Sequence, residues 1–276
     1  MNSVNEENFN LITTFSADCG RRRMQDYMYC LKKNLVNASI DLIVILLEES
    51  ATGVERTLAC INRIRQAEKN SGLFDSVQEF RKAESRIVIK IVNKKPLYKD
   101  LFKTSQKIDN KVWILTNADI YFPKDHELGL RKLDHSILDE NIIALTRYNY
   151  ITHERIKKRD YLKKDFVSER PVELQDHKGR SIDSWIYRTP ITLLKCDLNI
   201  HVGLPECDRY LNNELSNIKN LINPCLSIMS VHKHKDWSES SYDQVKVDGL
   251  KLSREEWNRK MQKFGFDLKA VPPSSL

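Results

Sequence analysis

The chain has 276 residues, 41% hydrophobic and 30% charged, an ordinary balance for a soluble globular protein that excludes a disordered or membrane-embedded one. A net charge of +7, from 45 basic and 38 acidic residues, suits nucleic acid, an anionic membrane surface or a phosphate-bearing substrate, and does not choose among them. The longest apolar run, Leu42–Leu47, is too short to span a bilayer, and Met1–Asn8 lacks the basic and apolar regions of a signal peptide, so the expected location is a cytoplasm.

Taken in chain order, Asn10–Phe15 reads as a first strand and Arg23–Leu35 as a helix. Asp41–Glu48, rich in Ile, Val and Leu, is the next strand, with a helix over Gly53–Gln66 and a third strand over Arg86–Val92. A short helix over Tyr98–Gln106 leads to strands at Lys111–Thr116 and Glu140–Arg147. Strands apolar on both faces, alternating with amphipathic stretches, imply an α/β fold with a mixed, mostly parallel sheet covered by helices. In such sheets ligands bind beyond the carboxyl ends of the strands. Arg155–Arg180 is polar and weakly periodic, either a lid over the acceptor side or a plain solvated loop. Regular structure is expected again at Ile182–Arg188 and Ile191–Cys196, then a helix over Glu206–Ile218 and a strand over Cys225–Val231. A last helix is expected at Arg254–Phe264 behind Ser253 as N-cap. Six cysteines without a CxxC pair read as reduced, mostly buried thiols.

Four segments could carry chemistry. Val112–Thr116 delivers the polar triplet Asn117-Ala118-Asp119 and then turns apolar again. A carboxylate buried between such flanks needs a paired charge or a metal, and magnesium or manganese prefers such oxygen ligands and bridges to diphosphate. The alternative is a turn in which Asn and Asp bond the local backbone. His232 and His234, two apart after an apolar run, face one way if extended and offer imidazole to the same site, or are two surface histidines. Asp208 stands at a helix start, where the helix dipole alone explains it but where a general base would also fit. Asp183 and Trp185 share a strand face, either as a sugar platform or as a core indole with a capping carboxylate.

In order and spacing these segments resemble the GT-A family of nucleotide-sugar-dependent glycosyltransferases, nearest a branch found in bacterial polysaccharide clusters and large DNA viruses. The likeness is carried by Thr13-Thr14-Phe15, Arg21–Asp26, Tyr98–Phe102, Asn117–Phe122, Ala144–Tyr148, Asp183–Ile186, Cys207-Asp208-Arg209 and Asn223-Pro224 leading to His232-Lys233-His234. It implies a catalytic domain over residues 10–235, with a nucleotide-binding half (10–122) and an acceptor half (123–235), behind a flexible stretch (1–9) and before a helical extension (236–276). Asn117 and Asp119 stand where the family has its DxD motif, and the resemblance gives Asp119 the metal. It gives Thr14 and Phe15 the nucleotide base, Arg23 the diphosphate, and His232 or His234 completion of the metal site. Asp208 becomes the base, with Asp183 as the alternative. Cys207 departs from the family pattern, which has Glu there. The implied reaction moves a sugar, with inversion, from a nucleotide-sugar (UDP-linked being commonest among look-alikes) to a glycan or other hydroxyl acceptor, with Mn2+ or Mg2+ as cofactor and no nucleic acid partner. Rival readings are a metal-dependent phosphoesterase or nuclease built on Asp119 and the two histidines, and a non-catalytic sugar-nucleotide-binding module.

Overall fold

The computed structural model describes residues 8–69, 86–124, 129–150, 172–174, 181–233, 244–247 and 250–253. Strands β1 (Phe9–Ser16), β2 (Ile40–Glu48), β3 (Ile87–Val92) and β4 (Val112–Thr116) alternate with helices α1 (Arg21–Leu35), α2 (Val54–Lys69) and α3 (Tyr98–Ser105). They are followed by β5 (Ile120–Tyr121), β6 (Asn141–Thr146), β7 (Tyr148–Tyr150), β8 (Val172–Leu174), β9 (Ile182–Arg188), α4 (Cys207–Ser216), β10 (Asn220–Ile222) and β11 (Val231–His232). Among the described residues a seven-stranded sheet runs in the order β10-β6-β9-β4-β1-β2-β3. Only β9 opposes the others, pairing antiparallel with both β4 and β6. The expected α/β class with a mixed, mostly parallel sheet is what the chain adopts.

Alternation along the strands explains the layers. Leu11, Ile43, Ile45, Val112 and Ile114 pack on one face with Met24, Tyr27 and Leu31 of α1 and Cys60 and Ile64 of α2. Ile12, Val44, Leu46, Trp113 and Leu115 pack on the other with Tyr98, Leu101 and Phe102 of α3 and Leu211 and Leu215 of α4. The six cysteines are free; Cys30, Cys60, Cys207 and Cys225 are buried, as their apolar character suggests. No helix among the described residues is long and apolar enough to cross a membrane.

A second sheet, β5-β11-β7-β8, lies beside the carboxyl end of β4. Its free edge at β5 is closed by a side chain of α1. The buried Asn34 amide donates to the Ile120 carbonyl at 3.0 Å, and its oxygen accepts from the Phe122 N–H at 2.9 Å. Asn37 continues the edge by donating to the Phe122 carbonyl at 3.2 Å. This pairing holds the segment that follows Asp119. Asn34→Leu, similar in size, leaves both backbone groups unsatisfied, and a loss of about 1–3 kcal/mol is expected in a urea unfolding midpoint at unchanged slope.

Three expectations are corrected. Ile191–Cys196 forms no strand: Pro190 offers no N–H to a ladder, and the buried Ile191 packs from an irregular segment. Most of Cys225–Val231 is turn, with the Pro224 carbonyl accepting from the N–H groups of Ser227 and Ile228; only Val231 joins a ladder, together with His232. An apolar run buries equally well either way, so its composition could not decide. The carboxyl-terminal extension, expected to be helical, contains an antiparallel pair, β12 (Gln244–Val247) and β13 (Leu250–Ser253). Alternating residues around Asp248-Gly249 are a hairpin signal. The helix expected over Arg254–Phe264 lies outside the described residues, as does Arg155–Arg180 apart from β8.

Candidate active site

Because β9 runs against its neighbours, its amino end arrives at the rim where β1, β2, β4 and β6 present their carboxyl ends. Thr116, the last residue of β4, pairs with Ser184, and its hydroxyl donates to the Asp183 carbonyl at 3.0 Å. The Asn117 backbone N–H donates to the same carbonyl at 3.1 Å, and a turn closes from Ile120 N–H to the Asn117 carbonyl at 3.2 Å. The triplet is thus a turn, as the plainer reading had it. Its Asp119 carboxylate, however, is spent on a side chain rather than on the local backbone.

That side chain is His232. In the second sheet β11 pairs Ile120 with His232 on one side and Asn149 with His232 on the other. Asp119 Oδ2 lies 3.3 Å from His232 Nε2, with side-chain exposures of 10% and 8%. His232 Nδ1 meets Asn149 Oδ1 at 3.2 Å. With Nδ1–H donating to that amide oxygen, Nε2 turns its other face to a carboxylate. Lone pair facing lone pair is repulsive, so a cation, either a proton or a metal ion, belongs between them. Burial pushes the Asp119 carboxyl up, but His232, Arg23 and Arg147 outweigh it and hold the group well below the usual carboxylate range.

The pair also fits a divalent ion. Adjacent ligands at about 2.1 Å from a six-coordinate metal lie about 3 Å apart, close to the 3.3 Å seen. Among the described residues no three His, Cys, Asp or Glu gather as a metal-holding group. A metal held by these two residues would complete its shell with water and substrate phosphate, as hard divalent ions commonly do. His234 lies outside the described residues.

Asp208 sits in the first turn of α4, partly exposed, with Oδ2 accepting from the Ile182 N–H at 3.2 Å. Burial, then the carboxylates of Asp183 and Glu206, push its carboxyl up to about 7, against the N–H groups of Ile182 and Arg209. The turn before it is conformationally unusual: Gly203 and the non-glycine Glu206 both have positive φ, 76° and 60°. A left-handed non-glycine residue costs about 1 kcal/mol, and such strain concentrates where a side chain must be aimed. Backbone bonds from Tyr98 to Ile200 and from Val202 to Pro96 dock this turn on the start of α3. Cys207, standing where a Glu was expected from the resemblance, meets the Tyr98 hydroxyl at 3.2 Å. Burial pushes that thiol up to about 12, so it is neutral and takes no charged role.

The other expected residues divide. Arg23 is exposed in the first turn of α1, 5.9 Å from the Tyr27 ring centroid, and near enough to help keep Asp119 charged. Thr14 is half-buried, whereas Phe15, still within β1, packs against Tyr27 at 5.1 Å in the core. Its side chain is thus part of the core. Trp185 is no sugar platform either: it is fully buried, edge-on to Tyr98 at 5.7 Å, with its indole N–H on Asn212 at 2.7 Å. Asp183 has both oxygens engaged. Oδ1 accepts from the Asn117 amide at 2.7 Å, and Oδ2 pairs with the Arg147 guanidinium at 2.5 Å. Arg147 and Asn149 carry no role in the sequence reading. Arg147 directly follows the apolar run of β6, so the rule that picked the triplet applies to it as well. Asn149 between two tyrosines gives no signal.

No protein-family model matches the chain, and no curated protein does. Among solved structures it is similar to S. aureus TarS 1-349 in complex with UDP-GlcNAc, at 11% identity over 86% of this chain, with a TM-score of 0.45. The chain spans only 62% of that TarS chain. It is also similar to UDP-glucose pyrophosphorylase complexed with UDP-glucose (10% identity, 83% of this chain and 91% of that one, TM-score 0.32). A third likeness is to an active-site mutant of LgtC (10% identity, 95% and 97%, TM-score 0.36). TM-scores this low leave the chemistry to the residues of the site itself.

Proposed function

We propose that the chain is a metal-dependent glycosyltransferase that uses a nucleotide-sugar donor, UDP-linked by preference, and a hydroxyl acceptor, and that it inverts the anomeric centre. The observation that carries this reading is a division of labour among carboxylates on one rim. Asp119 is buried and faces an imidazole, while Asp208 is partly exposed at a helix start, where burial and the carboxylates of Asp183 and Glu206 push its carboxyl up to about 7. A fixed anion for a cation and an adjustable one for a proton is the pairing that sugar transfer needs.

Asp119 and His232 would hold the divalent ion, whose chemistry is Lewis-acid neutralisation of the departing diphosphate. Arg23 adds charge beside it, in a helix whose first turn holds Arg21, Arg22 and Arg23 and no acidic residue. Three cations at the positive end of a helix work against its dipole, and an anionic ligand relieves them. The half-buried Thr14 would meet the nucleotide, and Asn117, its amide donating to Asp183, would meet the ribose. Asp208 takes the proton of the acceptor hydroxyl as that oxygen bonds to the anomeric carbon. The carbon–oxygen bond to the diphosphate breaks, and its electron pair stays on the phosphate oxygen.

A thermal-shift series with MnCl2 and UDP-glucose or UDP-N-acetylglucosamine tests the binding half of the proposal. Metal and nucleotide-sugar together at about a hundredfold excess over Kd should raise Tm by about 5 °C or more. No response to any nucleotide-sugar, with salt-sensitive retention on DNA instead, would return the site to the nuclease reading.

A further inference from the structure

Arg147 and Asp183 form an ion pair with 9% of each side chain exposed, at the junction of β6, β7 and β9. Taking two charges out of water is expensive, and an apolar pair of similar volume commonly gives a more stable fold. Stability alone therefore does not account for the pair. Its surroundings suggest what does. Asp183 Oδ1 holds the Asn117 amide of the triplet, and the next residue, Ile182, donates its N–H to Asp208. The Arg147 N–H is fixed on the Ser181 carbonyl at 3.0 Å. The guanidinium feels the carboxylates of Asp183, Asp119 and Asp208, which outweigh the effect of burial and keep it charged.

Resting on the reading of Asp208 as base, we propose that Arg147 and Asp183 are a positioning pair: Arg147 locks Asp183 as a buried anchor for Asn117, so that Asp208 alone receives the acceptor's proton. Two carboxylates this close cannot both be free to take it, and the cation decides which one does. Asp183 is buried, with each oxygen already accepting a hydrogen bond, whereas Asp208 is partly exposed. The other groups facing Asp208 are Glu206 and Cys207 of its own segment and Tyr98 of α3. The last two are neutral, because burial pushes the Cys207 thiol up to about 12 and raises the Tyr98 hydroxyl well above its ordinary value. Burial makes the largest contribution to the state of Asp208, and the Asp183–Arg147 and Glu206–Arg209 pairs supply the charges around it.

Carbon-13 carboxyl NMR of protein labelled at aspartate measures this without any turnover. Asp208→Asn and Asp183→Asn assign the two resonances. In the natural chain the Asp208 carboxyl, pushed up to about 7, should titrate near neutrality, and an Asp208 midpoint in the ordinary carboxylate range overturns the proposal. In the neutral double variant Arg147→Met with Asp183→Asn, the Asp208 midpoint should fall by about one pH unit or more, and a smaller fall also overturns it. Should the double variant fail to fold, Asp183→Asn alone is read against the same threshold. The release of UDP from UDP-glucose with an acceptor is a separate assay. Full turnover by Asp208→Asn would remove the base reading, while the Asp208 midpoints read by NMR would still stand or fall by themselves.

Discussion

Asp208→Asn is expected to slow transfer by about 10²–10⁴-fold while leaving nucleotide-sugar binding unchanged. The same substitution should raise the melting temperature above neutral pH, and the two effects have one origin. In the unfolded chain this carboxyl ionises near 3.8; in the fold it ionises near 7. Between those values the unfolded state has lost a proton that the native state retains, so stability falls as pH rises, and the full penalty applies above 7. The shift corresponds to ~4 kcal/mol at most, and solvent contact with a partly exposed group reduces it to ~1–2 kcal/mol. Asparagine keeps an oxygen for the Ile182 N–H and removes the charge. If Asp208 is the base of the proposed transfer, kcat/KM should rise with pH through a midpoint near 7. A variant that is no more stable than the parent at pH 8 and as stable at pH 5 would mean that the carboxylate is not held at a penalty.

Asp119→Ala is expected to cut metal-dependent turnover by about 10³-fold or more, since Lewis-acid stabilisation is worth several kcal/mol in the transition state. It should also abolish the rise in Tm with MnCl2 and nucleotide-sugar. The effect on stability has the opposite sign to that of Asp208. Asp119 ionises well below its unfolded value because of His232, Arg23 and Arg147. Its contribution is therefore present above about pH 4 and is lost as the pH falls toward the folded value. Removing it leaves His232 and Arg147 buried without that counter-charge, so the variant should melt lower at neutral pH. His232→Ala should lower metal affinity with a smaller loss of stability. Isothermal titration with MnCl2 and circular-dichroism melts separate the two losses, and unchanged manganese binding by Asp119→Ala would remove the metal from this site.

The parts of this fold legible in the sequence are those set by local patterns. β1, β2, β3 and β4 are short apolar runs, and α1, α2 and α3 bury one face each, so their residues announce them. Asp119 was findable because a carboxylate between apolar flanks is conspicuous, and Asp208 because it opens a helix. Long-range pairing left no such mark. Nothing in Ile182–Arg188 says that it inserts antiparallel between β4 and β6, yet that insertion puts Asp183 on Asn117 and Arg147. Trp185 shows the converse error. An aromatic residue beside a polar one looks like a ligand contact, but only tertiary packing says which face it presents. β10 was missed because three residues carry too little periodicity.

The reversed strand also bears on how the chain matures. Every residue of β4 is buried, and its neighbour on one side is β9, whose Asp183 lies 66 residues beyond Asn117. While the carboxyl-terminal half is still on the ribosome, the first four strands can assemble but leave Val112–Thr116 as an unclosed hydrophobic ribbon. Such an edge invites pairing with other nascent chains. Closing the sheet and bringing Asp183 onto Asn117 are thus a single late event, and a fragment ending before β9 is expected to be adhesive.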